Sequence, residues 1–193
     1  MNPDALSDLV LLGACGWILA RTLKARPSIA VAAVLFGVAA LVGVLRFSGF
    51  DMLSGVHKFT SLLAACAAFP LLAYALSWPQ DPTSVRLSAA ARFAMLFGGV
   101  GVAIVAVGFK PWGQIVPILS GLLIAWTMLR LRSVPGLLGV IALFASFGIA
   151  VGMDATTLVG GLFNRVQLLH YSLALALVLL TLRPTKSQAV SSR

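Results

Sequence analysis

The sequence predicts an all-α polytopic membrane protein, a bundle of seven transmembrane helices with the N terminus outside and the C terminus inside. Three observations carry that prediction. The 193-residue chain is 60 % apolar and only 10 % charged, with a mean hydropathy of +1.03. A soluble domain carries about 25 % charged residues, so this chain has too little polar surface to cover itself in water and its outside must face lipid. Seven apolar runs recur between short polar breaks, and none alternates with the period of two that a membrane barrel requires. The basic residues, finally, collect on alternate breaks.

The runs are Leu6–Leu19, Ile29–Leu45, Phe59–Trp78, Leu87–Phe109, Ile115–Leu129, Leu137–Met153 and Val166–Leu182. A spanning helix needs about 20 mostly apolar residues, so the first and fifth must be completed by flanking residues. The first run is retained and not a cleaved signal, because Asp4 and Asp8 make its N-terminal side acidic and no small-residue cleavage site precedes Arg21, Lys24 and Arg26. Pro27, Pro79, Pro82, Pro111, Pro135 and Pro184 fall at run edges, where a helix tolerates them. Pro70 and Pro117 lie inside runs and predict kinks. Trp17, Trp78, Trp112 and Trp126 lie largely near run ends, as an aromatic belt requires. Small residues in Ala94–Gly101 and Gly148–Gly152 predict close helix packing within the chain, with a homodimer as the alternative. Residues 1–183 form the seven-helix domain, and 184–193 form a polar cytoplasmic tail.

Orientation follows from charge. With the N terminus outside, the inner ends hold Arg21, Lys24, Arg26, Arg86, Arg92, Arg130, Arg132, Arg183, Lys186 and Arg193. The outer ends hold Arg46, Lys58, Lys110 and Arg165, and four of the five Asp residues. The whole net charge of +9 therefore belongs to the inner side. The basic groups sit singly or in small groups between apolar runs and not on a wettable face, which sets nucleic acid aside as a partner; membrane lipids, or a membrane partner protein, remain.

Several chemistries are absent. There is no Glu, so paired glutamates cannot act as acid and base or as di-metal ligands. Cys15 and Cys66 form no CxxC and read as buried thiols. No phosphate-binding Gly-rich loop, GxSxG or HExxH occurs, and the last run has no lysine for retinal.

Polar groups within lipid are costly and tend to be functional. The two histidines, His57 opening the third helix and His170 about one turn into the seventh, fall at matched depth near the outer surface. Asp51, Ser54 and His57 follow at a spacing of three; Gln167 and His170 are three apart, and Tyr171 is four from Gln167, which puts each set on one helical face. The two stripes predict a polar pocket with an apolar floor at the outer end. Asp51 and Ser54 are its candidate catalytic residues, His57 and His170 its candidate metal ligands, and Asn164, Arg165, Gln167 and Tyr171 its candidate substrate-binding residues. Each histidine has a plainer reading too, a hydrogen bond to a loop or a contact with headgroups.

The stretches Gly43-Val-Leu-Arg-Phe47, Val56-His-Lys-Phe-Thr-Ser-Leu-Leu-Ala64 and Asn164-Arg-Val-Gln-Leu-Leu-His170, within this seven-helix layout, resemble the alkaline ceramidase and progestin/adiponectin receptor superfamily of membrane hydrolases, whose small bacterial members are similar in length. The resemblance implies a bacterial inner membrane and a zinc ion held by three histidines, with zinc-activated water cutting a lipid amide. His57 would be the first ligand and His170 one of a last pair spaced by four. Here Val166 and Ala174 occupy those flanking positions, so Asp51, Asp154 or Cys66 would have to complete the set. Two further readings stand beside this hydrolase: a bis-His haem carrier, and a non-catalytic small transporter, lipid-binding module or accessory subunit.

Overall fold

A computed structural model describes residues 2–152 and 163–182. Asp154 and the polar tail from 184 onward lie outside the described residues. Among the described residues the chain is helical and contains no strand. The elements are α1 (Pro3–Thr22), α2 (Pro27–Phe47), a 3-10 turn (Asp51–Leu53), α3 (Ser54–Leu63), a π-turn (Ala64–Ala68), α4 (Phe69–Ser77), α5 (Pro82–Val85), α6 (Leu87–Ala106), α7 (Trp112–Leu131), α8 (Val134–Gly152) and α9 (Arg165–Thr181). Five helical segments are long and apolar enough to cross a membrane: α1, α2, the continuous rod Asp51–Ser77, α6 and α7. The apolar stretches Val134–Ala150 and Arg165–Thr181 are shorter. The chain is thus compatible with an integral membrane protein. Its large exposed side chains agree, since Leu6, Leu9 and Val10 on α1 and Met95, Leu96 and Val100 on α6 turn outward.

Local chemistry sets the helix ends. Asn2 accepts the Asp4 N–H to cap α1. Asp81 caps α5 by accepting from Thr83 N–H at 2.8 Å, a bond that holds its carboxyl below the usual carboxylate range. Asn164 and Gln167 form a reciprocal capping box on α9. Pro27 begins α2, where its missing N–H costs nothing.

Pro70 has a different effect. It has no N–H to give the carbonyl of residue 66, and its ring would crowd that carbonyl. The rod does not break there: it widens into the π-turn just ahead of the proline.

α1 packs along α2 and α9, α8 along α9 and α7, and α7 against α4 and the π-turn, closing a ring with α2. α6 lies outside this ring against α2 and the π-turn. It approaches closely through Gly98 and Gly101, where a Cβ would lie 2.6 Å from Leu63 Cδ1 and 2.4 Å from Cys66 Cβ. These glycines of the Ala94–Gly101 stretch therefore serve packing within the chain, whereas a Cβ at Gly148 would meet nothing within 4 Å. Cys15 and Cys66 are buried free thiols.

Candidate functional site

α1 buries a stripe at helical spacing: Ala5, Ser7, Asp8, Leu11, Cys15, Ile18 and Thr22. Most of that stripe is apolar, but its first turns carry Ser7 and Asp8 into the bundle, with Asp8 only 1 % exposed. Facing them, α9 presents His170. His170 Nδ1 lies 3.2 Å from Asp8 Oδ1 and 3.2 Å from Ser7 Oγ. Ser7 spends its single hydroxyl proton on the Asp4 carbonyl at 2.8 Å. Its oxygen can therefore only accept from the ring, so His170 Nδ1 carries a proton, shared between serine and carboxylate, and Nε2 keeps its lone pair.

The same end is tied by Asp4, whose Oδ1 accepts from Asn164 Nδ2 at 2.6 Å and from Gln167 Nε2 at 2.8 Å. The α9 capping box is thus also a clamp on α1. Gly43 of α2 makes room for Asp8: a Cβ there would fall 2.4 Å from Asp8 Oδ2 and 2.8 Å from Oδ1. Any larger residue at this position would force the Asp8 carboxylate to move.

Beside this dyad lies a cavity of about 250 Å³ walled by α1, α2, α3, the π-turn, α4, α7, α8 and α9. Among the described residues the titratable groups in its wall are Asp8, His57 and His170. Its other walls include Leu11, Phe36, Phe69, Phe147 and Leu173. The lining residues Ser61 of α3 and Gln114 and Ile118 of α7 are exposed on the outside of the bundle, so they mark the mouth. His57 meets Phe47 edge to face at 6.1 Å and has a backbone hydrogen bond at Ala39. Two polar atoms here are buried without a hydrogen-bond partner among the described residues: Asp8 Oδ2 and His57 Nδ1. Pro117, also in the wall, has no N–H to give the Gly113 carbonyl one turn back, and Gly113 lines the same space.

The structure brings His57 and His170 to one cavity. It distributes the other site candidates differently. Asp51 and Ser54 sit on the turn and the first residue leading into α3 and do not line the cavity. Asn164 and Gln167 are engaged with Asp4, Arg165 donates to the Ala150 carbonyl, and Tyr171 packs edge to face on Phe163 at 5.9 Å. None of these four lines the cavity. Asp8, Ser7, Asp4 and Gly43 are what the sequence reading passed over. The signal was present in the spacing of Asp4, Ser7, Asp8 and Leu11, a polar extension of a buried stripe.

A metal ion needs donors converging to bonds of about 2 Å. Among the described residues no three of His, Cys and Asp are grouped to hold one, and Asp8 Oδ1 already faces the His170 N–H. These residues do not make up the three-ligand zinc set that the resemblance implies.

The fold and this cavity together define an all-helical protein with membrane-length helices and an acceptor-lined internal space. Neither a family model, nor a curated protein, nor a solved structure matches the chain.

Proposed function

We propose that the chain is a seven-span integral membrane protein, N terminus outside and C terminus inside, whose cavity binds an amphiphilic molecule taken from the bilayer. The confinement of the net +9 to alternate breaks supports the orientation, and the helical form of all seven apolar runs supports the span number. The observation that carries the binding reading is the cavity itself: apolar walls, three titratable groups at one end, and a mouth at Gln114 and Ile118 on the outer surface of the bundle. A cavity of about 150 Å³ accepts benzene; this one is larger. Purified protein in lipid nanodiscs should release a co-purifying amphiphile on solvent extraction, at near one per chain. Leu173→Trp, which fills the wall from α9, should abolish it. Equal extract from both proteins would refute the reading.

A second reading is favoured by one contact. Asp8 holds the His170 ring through Nδ1 and leaves Nε2 free, the arrangement by which a carboxylate orients a general base. On that reading His170 activates water against an ester or amide bond of the bound amphiphile. Zinc would enter this chemistry only with a third ligand. Release of fatty acid from labelled lipid amides and esters, compared with His170→Ala and with added chelator, tests it. An inactive parent protein ends the catalytic reading and leaves the binding one standing.

A further inference from the structure

We propose that the cavity is selective for an amphiphilic primary amine, whose ammonium group sits among Asp8, His57 and His170 and whose apolar part lies along the Phe36, Phe69 and Leu173 wall. The proposal rests on the reading of the cavity as an amphiphile site and names the head group.

The argument is one of donors and acceptors. The three titratable groups in the cavity wall each offer a lone pair. Asp8 Oδ2 is buried and has no partner. His57 Nδ1 is buried and has no partner among the described residues; with the ring proton on Nε2, toward the Ala39 backbone, Nδ1 is a lone pair. His170 has its proton on Nδ1, held by Ser7 and Asp8, so Nε2 is a lone pair. A buried acceptor without a donor costs about 1–3 kcal/mol, and donors from outside the chain, on water or on a ligand, relieve that cost.

A carboxylate or phosphate head brings more lone pairs and a like charge. A hydroxyl brings one proton. An ammonium brings three N–H donors and a positive charge beside the buried Asp8 carboxylate. Asp4 and Arg46 also lie within electrostatic reach of Asp8. Asp4 adds a second negative charge, and the Arg46 guanidinium, stacked over Phe47, adds a positive one that reaches both Asp8 and His57. A metal ion would supply charge as well, but among the described residues no three such donors are grouped to share an ion, whereas the N–H bonds of an ammonium spread its contacts over hydrogen-bond distances.

The test uses the full chain in nanodiscs and three photoreactive alkyl probes of equal length that end in an ammonium, a hydroxyl or a carboxylate. Labelled peptides are mapped by mass spectrometry, and zinc is measured in the same preparation. The amine should label α3, α7 and α9 around the cavity about tenfold more than the carboxylate, the size of one charge-assisted hydrogen bond. Asp8→Asn should remove that preference. If Asp8→Asn does not fold, His57→Ala should narrow the ratio of amine to carboxylate labelling. Equal cavity labelling by all three probes would overturn the amine and keep the amphiphile site. No cavity labelling by any probe would overturn both. Stoichiometric zinc in the parent protein would assign the acceptors to a metal and overturn the amine.

Discussion

The two ends of the bundle treat polar groups in opposite ways. At the end away from the histidines, hydroxyls are satisfied within the protein. Ser77 and Thr127 share a bond of 2.7 Å between α4 and α7, Ser84 donates to the Trp78 carbonyl at 2.6 Å, and Ser28 of α2 donates to the Thr83 carbonyl. Leu71, Leu72, Ile29 and Leu180 fill the space between them at 1 % exposure or less. The void found there is about 10 Å³, room for one water at most. At the histidine end a carboxylate is buried, two polar atoms have no partner, and 250 Å³ is left open. A bundle that can pack one end so closely has no need to leave the other end open for stability. That difference is what the proposed binding site would account for.

This contrast predicts how each end responds to mutation. The largest effect belongs to the packed end: Leu72→Ala should cost about 2–5 kcal/mol, from lost burial and the void it leaves. Asp8→Asn, equally buried, should cost no more than about 1 kcal/mol. The amide keeps an oxygen for the His170 N–H and removes a buried charge lacking full compensation. Unfolding in mixed micelles checks both, and equal losses would erase the contrast.

Gly43→Ala comes next. Its methyl would collide with the Asp8 carboxylate, an overpacking worth about 1–3 kcal/mol. In an Asp8→Ala background the same change should become neutral or stabilising, because alanine favours a helix over glycine by about 1 kcal/mol. A penalty that persists in the double variant would place its cause elsewhere than at Asp8. Asn164→Ala should cost about 1 kcal/mol for the lost cap, with faster amide exchange at the start of α9 as its signature. Asn164 also clamps Asp4, so this variant should loosen α1 as well, and exchange confined to α9 would argue against the clamp.

The helices were legible in the sequence because hydropathy and proline placement are local properties. The run Leu6–Leu19 was short by itself, and α1 reaches Pro3–Thr22 by recruiting capped polar ends. The π-turn was not legible. Pro70 predicted a kink, and the outcome depended on whether the helix broke or widened. His57 and His170 could be paired by depth, since depth follows from position along a helix. Asp51 and Ser54 share a spacing with His57, but spacing does not say which face meets the bundle. Asp8 was hidden for the opposite reason. Near a chain terminus it counts as a loop charge, and only the packing of α1 between α2 and α9 turns it inward. Gly43 acquires meaning only once Asp8 is known to stand against it.

The most direct measurement of the central claim is an experimental density map of the full chain in a lipid bilayer, at a resolution that separates ligand from side chain. The account predicts non-protein density within hydrogen-bond distance of Asp8 Oδ2 and His57 Nδ1, continuing past Leu173 toward Gln114 and Ile118. A map in which protein side chains fill that space, and in which both atoms find partners within the chain, would contradict it.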